Sequence, residues 1–187
     1  MTAARPRPRA GSGGALARRP HTKTPARPAA CVVITVTDTR GPATDRSGDT
    51  AVSLLEKAGH GVVARAWTRD ETAAIRRAVR AAVSRRSVDV VILTGGTGVA
   101  PRDRTPQAVV PLLDFELPGF GEWFRALSIR EIGAAGWLSR AGAGVMRGRL
   151  VVYLPGSPGA VTLGLRRVLI PELHHLLFVL GRSTGSA

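Results

Sequence analysis

The run Cys31-Val32-Val33-Ile34-Thr35-Val36-Thr37 is dominated by β-branched residues and lacks the apolar/polar alternation of a strand with one wet face. A strand of that kind is expected to be buried on both sides, as in a parallel sheet. Moving outward, Ser47 reads as the N-cap of a helix through Asp49, Val52, Leu54, Leu55 and Ala58, with Gly59 as its left-handed terminator. Gly61 to Trp67 reads as a second strand. Thr68 or Asp70 then caps a helix whose apolar positions Ala74, Ile75, Ala78, Val79, Ala82 and Val83 recur at three- and four-residue spacing, and Val88 to Thr94 is a third strand. This β-α-β-α-β alternation predicts a doubly wound α/β fold around a mainly parallel sheet. Downstream, Thr105 is expected to cap a short helix entered through Pro106. Phe120 to Arg130 reads as a helix with Trp123, Phe124 and Leu127 on one face, and Leu150 to Leu154 as a further buried strand. A leucine-rich helical segment passes Pro171 and ends before Gly181.

With 187 residues, 44% of them hydrophobic, the chain has material for one domain and one core. Its net charge of +14 raises nucleic-acid and membrane-surface hypotheses, but half of that excess sits in residues 1–29, which contain no acid. Those residues read as a disordered basic, Pro- and Arg-rich tail, residues 30–182 as the α/β domain, and residues 183–187 as a short polar tail. The tail lacks the aromatics that interleave with basic residues in single-strand binders, which argues against nucleic acid. No apolar run reaches membrane-spanning length, and a single cysteine, Cys31, fits a reducing, cytoplasmic location.

In open parallel sheets, ligands gather at the carboxyl ends of the strands, so the turns there are where binding residues are expected. After the third strand comes Gly95-Gly96-Thr97-Gly98. Glycines let successive N–H groups converge on one anion, and they serve a tight turn equally well. Neither familiar nucleotide motif is present: Pro101 stands where the dinucleotide fingerprint needs Gly or Ala, and neither lysine follows a glycine loop. Asp103 lies at the mouth of this loop. A carboxylate beside a phosphate cradle repels the ligand unless a divalent cation intervenes, which points to Mg²⁺; capping or pairing with Arg102 or Arg104 is the alternative. Asp70, at a neighbouring strand end, either reaches the same cation or caps its helix. Pro155-Gly156-Ser157-Pro158 offers backbone N–H groups and the Ser157 hydroxyl to a second anion. In Pro118-Gly119-Phe120-Gly121-Glu122, two glycines around an aromatic suit a backbone laid against a flat ligand or, for Phe120, a place in the core.

Thr94-Gly95-Gly96-Thr97-Gly98 with Arg102-Asp103 and Thr105-Pro106, then Pro118 to Glu122, Leu138-Ser139-Arg140-Ala141 and Leu154 to Pro158, together resemble the molybdopterin-binding family typified by MoaB and MogA of molybdenum cofactor biosynthesis. Thr37-Asp38-Thr39-Arg40 and Asp45 to Gly48 resemble that family's first loop. The resemblance implies a three-layer α/β sandwich with a mainly parallel central sheet, assembled as a homo-oligomer, trimer or hexamer. It further implies adenylylation of molybdopterin by Mg-ATP, with pyrophosphate released and other pathway proteins as partners. Asp70 and Asp103 match the family's essential, Mg²⁺-holding carboxylates, and Gly95, Gly96, Thr97 and Gly98 match the nucleotide and pterin-phosphate loop. Ser47 and Gly48 match the first loop, Pro118 and Gly119 the glycine-aromatic turn, Ser139 and Arg140 the pterin-side segment, and Pro155, Gly156, Ser157 and Pro158 the last anion-binding turn. Many adenylyltransferases of the family carry Asn where this chain has Ser157, so a non-catalytic molybdopterin-binding or scaffold oligomer is the second expectation. Cys31, His174 and His175 are expected to be structural.

Overall fold

The computed structural model describes residues 27–182; the basic segment 1–26 and the terminal residues 183–187 lie outside the described residues. Six strands form one sheet in the order β2-β1-β3-β6-β5-β4. They are β1 (Ala30–Val36), β2 (Gly61–Thr68), β3 (Val90–Thr94), β4 (Phe115–Glu116), β5 (Gly142–Met146) and β6 (Arg149–Leu154). β2, β1, β3 and β6 run parallel, while β5 is antiparallel to both β6 and β4.

The side chains of β1 explain why its sequence does not alternate in polarity. Cys31 and Val33 enter one apolar cluster with α1 (Arg46–Lys57), α4 (Pro118–Ile132), α5 (Pro158–Leu163) and α6 (Ile170–Val179), whereas Val32, Ile34 and Val36 enter a second with α2 (Thr72–Val83) and α3 (Thr105–Val109). A sheet sandwiched between two helical layers needs apolar residues on both faces, so the expected three-layer architecture is the one observed. The chain moves from β1 outward to β2 and then returns past β1 to β3. That reversal puts a crevice at the carboxyl ends of β1 and β3.

Helix starts depart most from expectation. The cap of α1 is Asp45, which accepts from the Gly48 N–H at 2.8 Å, and Ser47 lies buried inside the first turn. Glu71, with no side-chain cap bond, precedes α2, and Arg104 precedes α3; Asp70 and Thr105 are engaged elsewhere. The end of α1 follows the expected form: Gly59 has φ +83°, and the His60 N–H donates to Leu55 O at 2.9 Å. Trp123 does not join Phe124 and Leu127 in the core but is 49% exposed. Gly142-Ala143-Gly144-Val145-Met146 carries too little β-branched character to read as a strand, yet it forms β5, the hairpin partner of β6. Its glycines are required by contact: a Cβ at Gly142 would strike the Tyr153 hydroxyl. Before α6, residues 164–169 widen into a π-helical turn. Pro171, lacking an N–H, cannot close the regular ladder there.

Residues 27–29, read from the sequence as tail, belong to the folded body. Arg27 pairs with the fully buried Asp89 at 2.7 Å, Arg182 meets the same carboxylate, and Ala29 is buried. Among the described residues no helix is long and apolar enough to cross a membrane.

Candidate functional site

The turns after β1, β2, β3 and β6 converge on one cleft of about 480 Å³. Lining it are Asp38 and Arg40, Asp70, Gly95 to Gly98, Arg102 and Asp103, and Pro155 to Pro158. Gly95 (φ +110°) and Gly96 (φ +63°) make the turn that leaves β3. A Cβ on Gly95 would run into Val36 O, and Gly156 packs against Gly95 with 3.2 Å between its would-be Cβ and the Gly95 Cα. Two glycine turns from separate strands thereby share one floor.

The carbonyls of the glycine loop are turned into the protein. Gly95 O accepts from Thr105 Oγ1 (2.8 Å), Gly96 O from Thr105 N (2.9 Å), Thr97 O from Arg140 N (3.0 Å) and Gly98 O from Arg140 Nε (2.9 Å). The N–H groups of Gly96, Thr97, Gly98 and Val99 have no acceptor among the described residues. Val99 is exposed and lies off the cleft, but Gly96, Thr97 and Gly98 line it, and three successive unpaired donors there have the geometry of an anion-binding concavity. The Thr97 hydroxyl is buried and also unpartnered.

Asp70 and Asp103 both line the cleft beside this loop. Asp70 Oδ1 accepts from Arg104 N at 2.8 Å and Asp103 Oδ2 from Ala100 N at 2.9 Å, leaving Asp70 Oδ2 and Asp103 Oδ1 without hydrogen-bond partners among the described residues. The Asp70 N–H donates to Asp38 Oδ1 at 3.0 Å. Burial pushes the Asp70 carboxyl above its ordinary value; the Arg104 N–H opposes this, while the nearby Asp103 and Asp38 charges add to it. A cation relieves that repulsion. Among the described residues no three His, Cys, Asp or Glu side chains form a protein-only cage. Mg²⁺ ordinarily takes one or two carboxylates and completes its shell with water and phosphate oxygens, so this donor set fits it.

Other expected site residues are placed differently. Ser47 and Gly48 do not reach the cleft: Ser47 donates to buried Asp45, and a Cβ on Gly48 would collide with that carboxylate. Their part is to seat the first loop. Pro118, Ser139 and Arg140 line a second pocket of about 430 Å³ with Glu116, Glu122 and Tyr153. Gly119 lies instead on an apolar groove between α4 and α6. Ser139 also borders a third pocket, of about 360 Å³, that shares Thr97, Gly98, Pro155 and Ser157 with the main cleft. Ser157 caps α5, its hydroxyl accepting from Ala160 N at 3.2 Å, and Arg40 spans the cleft to Gly156 O at 2.9 Å. Asp38, Arg40 and Asp45 enter from sequence only through the first-loop resemblance; the signal that singles them out is a charged run directly after a strand buried on both faces. Cys31 and His60 are buried away from the cleft; burial, followed by the Asp89 charge, raises the Cys31 thiol to about 12.

Residues 32–175 match the family profile described as a probable molybdopterin binding domain. The chain belongs to this family. Within the molybdopterin-binding family it is 49% identical, over 79% of its length and 87% of the relative's, to molybdenum cofactor biosynthesis protein B of Bacillus subtilis strain 168. Its fold superposes on the tungsten cofactor synthesizing protein MoaB of Pyrococcus furiosus with a TM-score of 0.75 at 38% identity, covering 84% of this chain and 99% of that one. The molybdopterin biosynthesis Mog protein of Mycobacterium ulcerans gives 0.74 at 33%, covering 81% and 99%.

Proposed function

We propose that the chain binds molybdopterin and transfers an adenylyl group to it from Mg-ATP. The observation that carries this reading is the pairing, in one cleft, of three unpaired N–H donors on residues 96–98 with the free carboxylate oxygens of Asp70 and Asp103. One oxygen of the molybdopterin phosphate attacks the α-phosphorus of ATP. The new P–O bond replaces the α–β anhydride bond, whose electrons leave with pyrophosphate. No protein nucleophile is required, because the attacking oxygen is already an anion; the protein's task is to align two polyanions and offset their repulsion. The glycine-loop N–H groups hold phosphate oxygens, Arg40 and Arg102 add positive charge at the rim, and the Pro155–Pro158 turn positions the second anion. Asp70 and Asp103 are the residues that would hold Mg²⁺, which would supply charge neutralisation for the phosphates.

The test is pyrophosphate release by the purified protein in the presence of molybdopterin, ATP and Mg²⁺. We expect turnover that needs all three and that Asp103→Ala abolishes with the fold intact, since a loop carboxylate contributes little stability. Full activity in that variant removes Asp103 from the mechanism. Tight molybdopterin binding without pyrophosphate release selects the second reading, a non-catalytic carrier, for which Ser157 in place of the adenylyltransferases' Asn is the supporting feature. We also propose a homo-oligomer: Trp123 and Phe178, 49% and 48% exposed, sit on α4 and α6, between which runs an apolar groove of about 400 Å³. A monomeric mass by light scattering rejects it.

A further inference from the structure

We propose that Arg140 is a positioning residue, which holds the Asp103 turn in register with the phosphate loop and makes no contact with pterin. The inference rests on the reading of the cleft as a metal–nucleotide site. Arg140 lines the second pocket, beside Ser139, so a ligand contact is the simpler expectation. Its bonds point the other way. Nε and Nη2 both donate to Gly98 O, at 2.9 and 2.5 Å, Nη2 also reaches Asp103 O at 2.8 Å, and the backbone N–H donates to Thr97 O at 3.0 Å. Among the described residues it has no acidic partner within ion-pair distance. A planar guanidinium has a fixed fork of donors, and here the fork spans two backbone segments that meet at the candidate metal ligand.

The consequence for Asp103 follows from packing. Its Oδ2 stands where a Cβ on Gly98 would lie 2.6 Å away, so the carboxylate is set directly against the Gly98 backbone. The carboxylate's only hydrogen bond among the described residues comes from Ala100 N, inside the same loop. Arg140 is the side chain that grips both Gly98 and Asp103 from outside that loop. The N–H opposite the Asp103 carbonyl is that of Arg104, which donates to Asp70 Oδ1 at 2.8 Å, so the same peptide unit links Arg140 to the second carboxylate.

Arg140→Ala, Arg140→Lys and wild type would be compared for Mn²⁺ binding by electron paramagnetic resonance in the presence of α,β-methylene-ATP, and for molybdopterin binding without metal or nucleotide. Circular dichroism reports folding. Loss of a group that orients a metal ligand is expected to weaken Mn²⁺ binding roughly 10- to 100-fold in Arg140→Ala. Molybdopterin affinity should stay at the wild-type level, and sub-denaturing guanidinium chloride should restore Mn²⁺ binding. Arg140→Lys, which cannot span both carbonyls, should fall between; it carries the test if the alanine variant does not fold. Wild-type Mn²⁺ affinity in folded Arg140→Ala, a loss confined to molybdopterin, or no rescue by guanidinium overturns the proposal. If wild type itself binds no Mn²⁺ with the analogue, the metal–nucleotide reading fails and this inference falls with it.

Discussion

Asp45→Ala should cost far more than its position in a surface-loop sequence suggests. The carboxylate is fully buried and accepts from Thr35 Oγ1 (2.6 Å), Gly48 N (2.8 Å), Ser47 Oγ (3.1 Å), Arg65 Nη2 (3.1 Å) and Trp67 Nε1 (3.1 Å). Removing it orphans the buried Thr35 and Ser47 hydroxyls and the Gly48 N–H, at about 1 kcal/mol or more each. It also takes one of two carboxylate partners from Arg65, which keeps Asp49, and leaves Trp67 Nε1 without its acceptor, so the total should be about 3–5 kcal/mol. At roughly 2–4 °C per kcal/mol for a domain of this size, the melting temperature should fall by roughly 6–20 °C. Asp49 is the control: it pairs with the same Arg65 at 2.8 Å, but its side chain is 60% exposed, so Asp49→Ala should cost under about 1 kcal/mol. A pH series sharpens the test. Burial pushes the Asp45 carboxyl up, but the bonds from Thr35, Gly48, Ser47 and Arg65 outweigh it and leave it below its ordinary value. A group depressed in the folded state contributes fully above its unfolded value and loses that contribution as the pH falls through the folded one. The stability gap between wild type and Asp45→Ala should therefore close in acid. The measurement is thermal or urea unfolding from neutral pH downward. An Asp45→Ala loss no larger than that of Asp49→Ala, or a gap that persists in acid, refutes the argument.

Gly96→Ala should abolish Mg-nucleotide binding while lowering stability only modestly. At φ +63° a non-glycine costs about 1–2 kcal/mol, and the new Cβ would sit 2.5 Å from both Asp70 Oδ2 and Thr105 Oγ1, displacing the candidate metal ligand; unaltered calorimetric binding would count against this. Deleting residues 1–26 should leave urea unfolding unchanged. Deleting residues 1–28 removes Arg27 from buried Asp89 and should cost about 1.5–3 kcal/mol, so equal stability of the two truncations contradicts the boundary. Cys31, with its thiol pushed up to about 12 by burial first and the Asp89 charge second, should resist thiol reagents until the protein unfolds; modification at the native rate of an exposed thiol would show that it is accessible.

The loop contents are legible because strand-end turns in a parallel sheet are where such residues gather: Gly95 to Gly98 and Asp103 stand after β3 and Asp70 at the next strand end, although tight turns and helix capping account for the same residue types. Helix caps differ from expectation for two reasons. Asp70 and Thr105 are good cap residues engaged by partners outside their own helix turn, Arg104 N and the Gly95 carbonyl, whereas capping propensity is local. At α1 the competition is itself local: Asp45, two residues before Ser47, takes the cap and accepts the Ser47 hydroxyl. β5 escaped notice because its glycines and alanines are selected by close contacts with Tyr153, Leu113 and Phe115 and not by strand preference.

From the amino-acid order alone came the layered α/β architecture, the parallel core strands and the loops that carry the charged and glycine residues. All of these follow from periodicity and backbone restriction along the chain. Only the folded chain decided which side of those loops is free. The carbonyls of residues 95–98 are consumed by Thr105 and Arg140, and the N–H groups of Gly96, Thr97 and Gly98 have no acceptor among the described residues. Hydrogen-bond direction is set by partners brought together in space, and neither spacing nor composition records it.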